Sequence, residues 1–513
     1  MAVKHRRYTR FGEYDTYFEN AWVSQNPYIT APPVVLPLPS LDAVKGLLPD
    51  PFWEGHESVI ACYWKVWELA FRHLGNPTEA NEFAAPYIDT AFWAPAIFMW
   101  DTSFIMMFTR YGRRAFPFQL TLDTFYAKQH PDGFISRQIR YTDGEDTFFR
   151  FDPVSTGPNL LPWAEWEYFR DAGDKDRLAR VFPALMAYHQ WLRRYRTWQD
   201  GSYWTTGWGC GMDNQPRVPG TTDAELWMEH AHQVWLDACL QQILSARLLT
   251  QMADVLGKSG ACEDMQAEAD ALTKYVNQFM WDDQNAFYYD LDRHRNRLKV
   301  KSIGAYWALL AKTLSPEQAA RFVAHLSDPA EFNRPHRIPS LSADDPAYDP
   351  NGGYWRGGVW DPTNTMVLRG LDEYGFDALA HEIGLNHVLN VAQVFAKTGT
   401  VWENYGADNA PNPGNQAKDN FVGWGGVGPV AIFLESVLGL RSNVPENTLT
   451  WTILLTDDHG VRRYPFGEDG WVDVHCARRQ SAEERPQITL KSSVPLTLLV
   501  RWQGGEARYS VKG

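Results

Sequence analysis

Long segments with an apolar side chain every three to four residues recur in pairs from about residue 55 to 440, separated by short turns. Such spacing gives a helix one face that must be buried, and a short connection returns the next helix antiparallel beside it. In 225–257 the positions Leu226, Trp227, Val234, Trp235, Ala238, Cys239, Ile243, Ala246 and Leu249 keep the spacing; a Gly-Lys-Ser-Gly turn then leads to 262–280, with Met265, Ala269, Leu272, Val276 and Phe279. Leu160–Ala172 and Lys175–Tyr195 form a second hairpin around Gly173-Asp174. Ser315-Pro316-Glu317-Gln318 offers an N-cap, a proline at the first helical position and a glutamine able to close a capping box. Further helices are predicted near 56–74, 103–112, 116–129, 302–313, 316–327, 363–374, 376–397 and 425–439. A mainly α chain of this kind closes as a toroid of paired helices. The toroid should gather its long loops at one end, where function usually sits.

The ends differ from this body. Residues 1–52 form the N-terminal part, of which 20–51, rich in proline with Ala-Pro-Pro-Val-Val-Leu-Pro-Leu-Pro, read as an extended arm laid on the helical domain of 53–444. Beyond Val444-Pro445 the pattern turns to short β-rich runs at Leu449–Leu455, Gly470–His475, Gln487–Leu490, Leu496–Trp502 and Ala507–Val511. Asp457-Asp458-His459-Gly460 and Gln503-Gly504-Gly505 serve as turns. A small β-domain over 445–513 follows.

A net charge of -14 speaks against a nucleic-acid surface, and the basic run Lys4-His5-Arg6-Arg7 reads as a solvated tail. No apolar stretch reaches the length of a membrane span, and the first residues show no apolar signal-peptide core. The five cysteines, Cys62, Cys210, Cys239, Cys262 and Cys476, have no metal-ligand spacing and read as reduced thiols of a cytoplasmic protein. No metal or cofactor is called for, and oligomeric state stays open. Aromatics make up 14% of the chain, which suits either a large core or a site that stacks sugar rings on flat faces.

Three long loops, at 199–222, 328–361 and 398–425, hold the chemistry. Gly-Met-Asp-Asn-Gln-Pro-Arg at 211–217 and Trp-Glu-Asn-Tyr-Gly at 402–406 each set one carboxylate among amides, aromatics and glycines. Splitting an O-glycosidic bond needs one acid to protonate the leaving oxygen and a second carboxylate on the other face of the sugar. Asp213 and Glu403 are the candidates. A buried loop raises an acid's pKa as protonation of a leaving group requires, while Arg217 close by opposes it. Between the two carboxylates, Gly352-Gly353-Tyr354-Trp355-Arg356-Gly357-Gly358-Val359-Trp360 sets aromatics and an arginine on glycine-flanked backbone that admits a ligand closely. Cys210, three residues before Asp213, reads as a buried small side chain rather than a nucleophile, because no basic partner is visible nearby.

The Gly-Met-Asp-Asn loop, the Tyr-Trp-Arg-Gly-Gly-Val-Trp block, the Glu-Asn-Tyr segment and Phe421-Val422-Gly423-Trp424 resemble, in order over roughly 95–440, the motifs of glycoside hydrolase family 63 and its trehalase-clan relatives. The resemblance implies a six-hairpin (α/α) barrel and hydrolysis of an α-glycosidic, first of all α-glucosidic, bond with inversion. It puts Asp213 in the general-acid place and Glu403 in the general-base place. It also implies a sugar subsite at Met99-Trp100-Asp101-Thr102-Ser103-Phe104, with Trp100 stacking on the ring and Asp101 accepting from hydroxyls; taken alone, Asp101 reads as an N-cap of the 103–112 helix. Gln129 and Gln138, around Asp132-Gly133-Phe134-Ile135, look like the family's glutamine-rich loop. Arg217, Tyr354, Trp355, Arg356, Trp360, Tyr405 and Trp424 complete the expected substrate-binding set.

Two departures from the family pattern, Asp361 in Trp360-Asp361-Pro362 and the long polar stretch Ala407–Lys418, flank the side of the leaving group. They leave the substrate beyond a small glycoside or oligosaccharide open. Two other classes compete. A toroid-type polysaccharide lyase would conscript His130 and Tyr141, and a non-catalytic sugar-binding protein would keep Trp100, Trp355 and Trp360 without needing two carboxylates.

Overall fold

The computed structural model describes residues 19–90 and 94–513; the Lys4–Arg7 run and the start of the arm lie outside the described residues. The chain is mainly helical with small sheets. Helices Met99–Thr109, Leu161–Ala172, Leu236–Leu256, Trp307–Leu310 and Asp361–Glu373, then the π-helical Val427–Val437, pack each on the next, and the last packs back on the first. Helices Glu57–Arg72, Lys175–Tyr195, Glu263–Tyr275 and Asp377–Thr398 lie against members of this ring. Two helices of the ring are enclosed on every side: every residue of Met99–Thr109 and of Val427–Val437 is buried.

Local rules explain several boundaries. Gly173 ends Leu161–Ala172 in the left-handed region at φ +75, and Asp174 caps the next helix by accepting from the Arg177 N–H at 2.8 Å. The Ser315 capping box forms with both reciprocal bonds. Gly257, at φ +70, ends Leu236–Leu256 and opens the hairpin to Glu263–Tyr275.

One expected helix is shorter at its start. The 225–257 segment becomes helical only at Leu236, because Ala231 and His232 take positive φ (+50 and +52), which no helix tolerates. Leu226 is buried beside Gly207 and Trp227 stands exposed, so their fit to the helical spacing is coincidence. Asp101 lies in the first turn of a helix that begins at Met99 with Phe98 as its N-cap, so the capping alternative falls away.

The proline-rich arm is not wholly extended. It carries short 3-10 turns at Val23–Gln25 and Pro27–Ile29 and a helical turn at Leu41–Val44, and it binds the helical body through Asn26, which donates to the Tyr126 carbonyl and the Gln129 amide oxygen. Its last residues, Asp50–Trp53, form an edge strand on His459–Phe466, whose first two residues, His459 and Gly460, were expected to belong to a turn. That antiparallel sheet continues through Gly470–Cys476 to Ile488–Ser492. A second sheet runs Gly505–Val511, Leu496–Trp502, Thr448–Thr452, Leu440–Asn443, with the middle pair parallel.

These sheets meet the helical ring where its helices end. Arg113, just past Met99–Thr109, donates to the Gly467 and Asp171 carbonyls, and Gly467 N–H donates back to Asp171 O. The starts of the ring helices, with the 206–217, 353–360 and 402–424 loops that precede three of them, gather at the other end. Helix N-termini there favour negative charge. Among the described residues no helix is long and apolar enough to cross a membrane.

Candidate functional site

The Asp213 loop is pinned on both sides of its carboxylate. Asn214 accepts from the Trp355 N–H at 2.8 Å and donates to the Gly353 carbonyl at 3.1 Å, and its own carbonyl takes Arg356 Nε at 2.9 Å. Gln215 donates to Ser340 O at 2.6 Å and accepts from Ser302 Oγ at 2.7 Å. Gly211 adopts φ +82 with its backbone against the Trp100 ring, so near that a Cβ would stand 2.9 Å from the indole; only glycine fits. This many fixed neighbours leave Asp213 little freedom to wander.

Asp213 itself is half-buried, and among the described residues nothing donates a hydrogen bond to its carboxyl. Burial pushes that carboxyl up to about 6, against the pull of Arg137 and Lys418, with Glu403 adding to the rise. Asp101 is raised as well, first by burial and then by Glu403 and Asp213, with Arg137 opposing. Charges that perturb one another this way face a common space. The Tyr354 hydroxyl stands among them: it donates to Glu403 Oε1 at 3.3 Å, and after burial Asp213, Glu403 and Asp101 are the charges that raise it. Tyr354 holds φ +60, a strained conformation for a bulky residue, of the kind that gathers at functional sites and costs roughly 1–3 kcal/mol.

Glu403 is 1% exposed and held by its backbone. Its N–H donates to Lys418 O at 2.9 Å, and its carbonyl accepts Trp424 Nε1 at 2.7 Å. The carboxylate takes the Lys418 backbone N–H at 3.2 Å and Lys418 Nζ at 3.0 and 3.2 Å. Burial raises the Glu403 carboxyl and Lys418 pulls it back.

The expected residues divide accordingly. Asp101, Asp213, Tyr354 and Glu403 come together, with Trp100 packed on the acid loop. Trp424 holds the backbone of Glu403, and Asn214 ties the Asp213 loop to the 353–356 segment. Trp355 and Trp360 lie buried, stacked on each other with centroids 3.8 Å apart and planes 1° from parallel, and Trp424 meets Trp360 edge-on. Arg356 pairs with Asp223. The Tyr405 hydroxyl accepts from the Trp402 N–H and its ring lies against His336, so it braces the Glu403 segment from behind.

Gln138 sits in a short strand opposite Phe98, at the start of the helix that carries Trp100 and Asp101 and next to Arg137. Two expectations go elsewhere. Gln129 spends its amide on Gly133 O, Ala184 O and Asn26. Arg217 is buried between Asp237 and Asp290, with four hydrogen bonds of 2.6–3.0 Å, and is not among the charges acting on Asp213. A guanidinium in a buried site goes to the carboxylates that satisfy its whole fork.

Sequence reading missed Arg137 and Lys418. Arg137 is the neighbour of Gln138, and Lys418 ends the polar stretch already marked as unusual; their charge was the signal. The Cys210 thiol donates to Gly207 O at 2.9 Å and is pushed up by burial, so it remains a thiol. His130 bonds Asp146 and Tyr141 bonds Ala94 O, which leaves the lyase alternative without its cluster.

Comparison with known proteins shows the family of the chain. Residues 94–415, well over half of the chain, match the family model described as the mannosylglycerate hydrolase MGH1-like glycoside hydrolase domain. An uncharacterized protein of Borreliella burgdorferi is 25% identical over 352 residues, covering 66% of this chain and 71% of that protein. The mannosylglycerate hydrolase of Thermus thermophilus is 24% identical over 355 residues, 56% of this chain and 84% of that one. A crystal structure of a family 63 mannosylglycerate hydrolase from Thermus thermophilus in complex with glucose shares the fold at a TM-score of 0.58 and 21% identity, covering 73% of this chain and 99% of that chain. The chain thus belongs to the family of mannosylglycerate hydrolase MGH1-like glycoside hydrolase domains, and it is a glycoside hydrolase.

Proposed function

We propose that the protein hydrolyses the α-glycosidic bond of a small glycoside or oligosaccharide with inversion, with Asp213 as general acid and Glu403 as general base. The observation that carries this reading is the pairing of two carboxyls from distant segments, one without a protein hydrogen-bond donor among the described residues and raised to about 6, the other held against a lysine, with Tyr354 between them. In a single displacement Glu403 takes a proton from a water whose oxygen bonds to the anomeric carbon. The bond from that carbon to the leaving oxygen breaks, and the Asp213 proton goes to that oxygen. Room for the water requires the carboxyls to stand roughly 6.5–9.5 Å apart. The ring of helices supports reading the body as a six-hairpin (α/α) barrel, with the sheets of the C-terminal region as an appended β-domain.

Two substrates come first: an α-glucoside, from the motif resemblance, and mannosylglycerate, the substrate in the name of the Thermus thermophilus relative. NMR of the first-formed sugar should show the β-anomer before mutarotation. Asp213→Asn should lose turnover of poor leaving groups by about 10²–10⁴-fold while sparing activated aryl glycosides more, and Glu403→Gln should impair both alike. A first-formed α-anomer, or a folded Glu403→Gln protein with near-normal turnover, rejects the assignment.

A further inference from the structure

We propose that Lys418 is the positioning residue of the base, its ammonium bridging both oxygens of Glu403 so that this nearly inaccessible carboxylate stays ionised and aimed into the site. The inference rests on the two-carboxylate reading and extends it to a residue outside the motifs that carry the resemblance. A carboxylate with 1% exposure is neutral unless something satisfies its charge, and a neutral glutamic acid takes no proton from water.

The groups facing Glu403 from each packed element leave Lys418 as the counter-charge. From the helix Met99–Thr109 comes Asp101, and from the acid loop Asp213; both are acids that favour the neutral form. From the 353–360 loop comes the Tyr354 hydroxyl at 3.3 Å, a neutral donor. Arg137 acts on Asp213 and Asp101. Lys418 contributes Nζ at 3.0 Å and 3.2 Å and its backbone N–H at 3.2 Å.

The arrangement is preorganised. Glu403 N–H bonds Lys418 O, and Trp402 bridges Asp419 antiparallel, so the two side chains start from paired backbone and little entropy is lost in bringing them together. Lys418 keeps 38% of its side chain exposed, so its own charge remains solvated while it neutralises a buried partner. The polar stretch from Ala407 thus ends on the residue that tunes the base. Lys418 also lowers the Asp213 carboxyl, though without touching it, so its loss should displace the base more than the acid.

The test needs no known substrate. Infrared titration of the whole protein, taken as the difference between wild type and Glu403→Gln, follows the Glu403 carboxylate; the same difference is recorded on a Lys418→Met background and on a Lys418→Arg background. In Lys418→Met the midpoint should rise by about one pH unit or more, and Lys418→Arg should restore most of it. Lys418→Gln, which keeps a hydrogen-bond donor without charge, should behave as Met and takes its place if Met fails to melt cooperatively. On a substrate that wild type turns over, the acid limb of kcat/KM should move with the midpoint while KM changes little. An unshifted midpoint, or a loss of turnover equal at all pH, overturns the proposal. Full activity in Glu403→Gln would instead overturn the catalytic reading beneath it.

Discussion

Asp213 and Glu403 are both carboxyls raised by burial, and the roles proposed for them follow from what touches each. Asp213 has no hydrogen-bond donor among the described residues and sits near 6, whereas Glu403 accepts three hydrogen bonds from one lysine. The acid must be protonated, so kcat/KM should fall as pH rises through about 6; the base must be ionised, so it should fall again toward acid, and the two bends belong to the pair. Stability should carry the same signature. A carboxyl raised above its unfolded value of 3.8 stabilises fully below that value and loses the contribution as pH climbs through about 6. Asp213→Asn, uncharged at every pH, should therefore melt higher than wild type at pH 7.5 and show no gain at pH 3.5. Equal melting shifts at both pH values would mean that Asp213 is not held in a raised state.

At the scale of elements, the Asp213 loop is held in place because the neighbours of Asp213 in sequence are spent on anchoring. Arg217 locks the loop to Asp237, in the first turn of Leu236–Leu256, and to Asp290, whose carboxylate also accepts the Leu236 N–H at 2.8 Å. The guanidinium also lies 4.6 Å above the Trp235 ring. Removing one member leaves buried charge uncompensated, so Arg217→Met should cost about 3–5 kcal/mol in chemical denaturation. Turnover should drop with it, since the loop carries the acid. A variant with wild-type stability would show that the anchoring bonds to Asn214 and Gln215 suffice. The Trp355–Trp360 stack plays the same part for the middle loop, and the strain at Tyr354 is sustained by that packing.

Across the whole molecule, the helix starts hold the site and the helix ends meet the sheets, so the β-rich region bears on stability more than on chemistry. The arm joins the two through Asp50–Trp53, paired with Arg462 to His459, and Trp53 is buried at 5% exposure. Removing residues 1–54 should bare the edge of His459–Phe466 and lower the melting temperature by several degrees, with association through the open edge. A truncated protein that melts as the intact one, and stays monodisperse in light scattering if the intact one is, would show that the arm is dispensable to the fold.

Helical periodicity, glycine stops and a capping box were readable one element at a time, because each is a local rule whose partners lie within a few residues. That is why the Gly173-Asp174 and Gly257 turns and the Ser315 cap stand where the sequence places them. The loops of Asp213 and Glu403 stand out by the company each carboxylate keeps, and the fold sets both beside Tyr354; the acid and base roles remain proposals. Boundaries controlled by distant contacts were not. The late start at Leu236 depends on the backbone of Ala231 and His232, and the strands Asp50–Trp53 and His459–Phe466 define each other from opposite ends of the chain. Charge partners were the least legible of all. Nothing along the sequence tells Arg217, four residues from Asp213, to pair with Asp237 and Asp290, or Lys418 to reach back to Glu403. Which carboxylate a buried cation satisfies depends on which loops are brought together, and Coulomb energy and desolvation are decided by that three-dimensional neighbourhood.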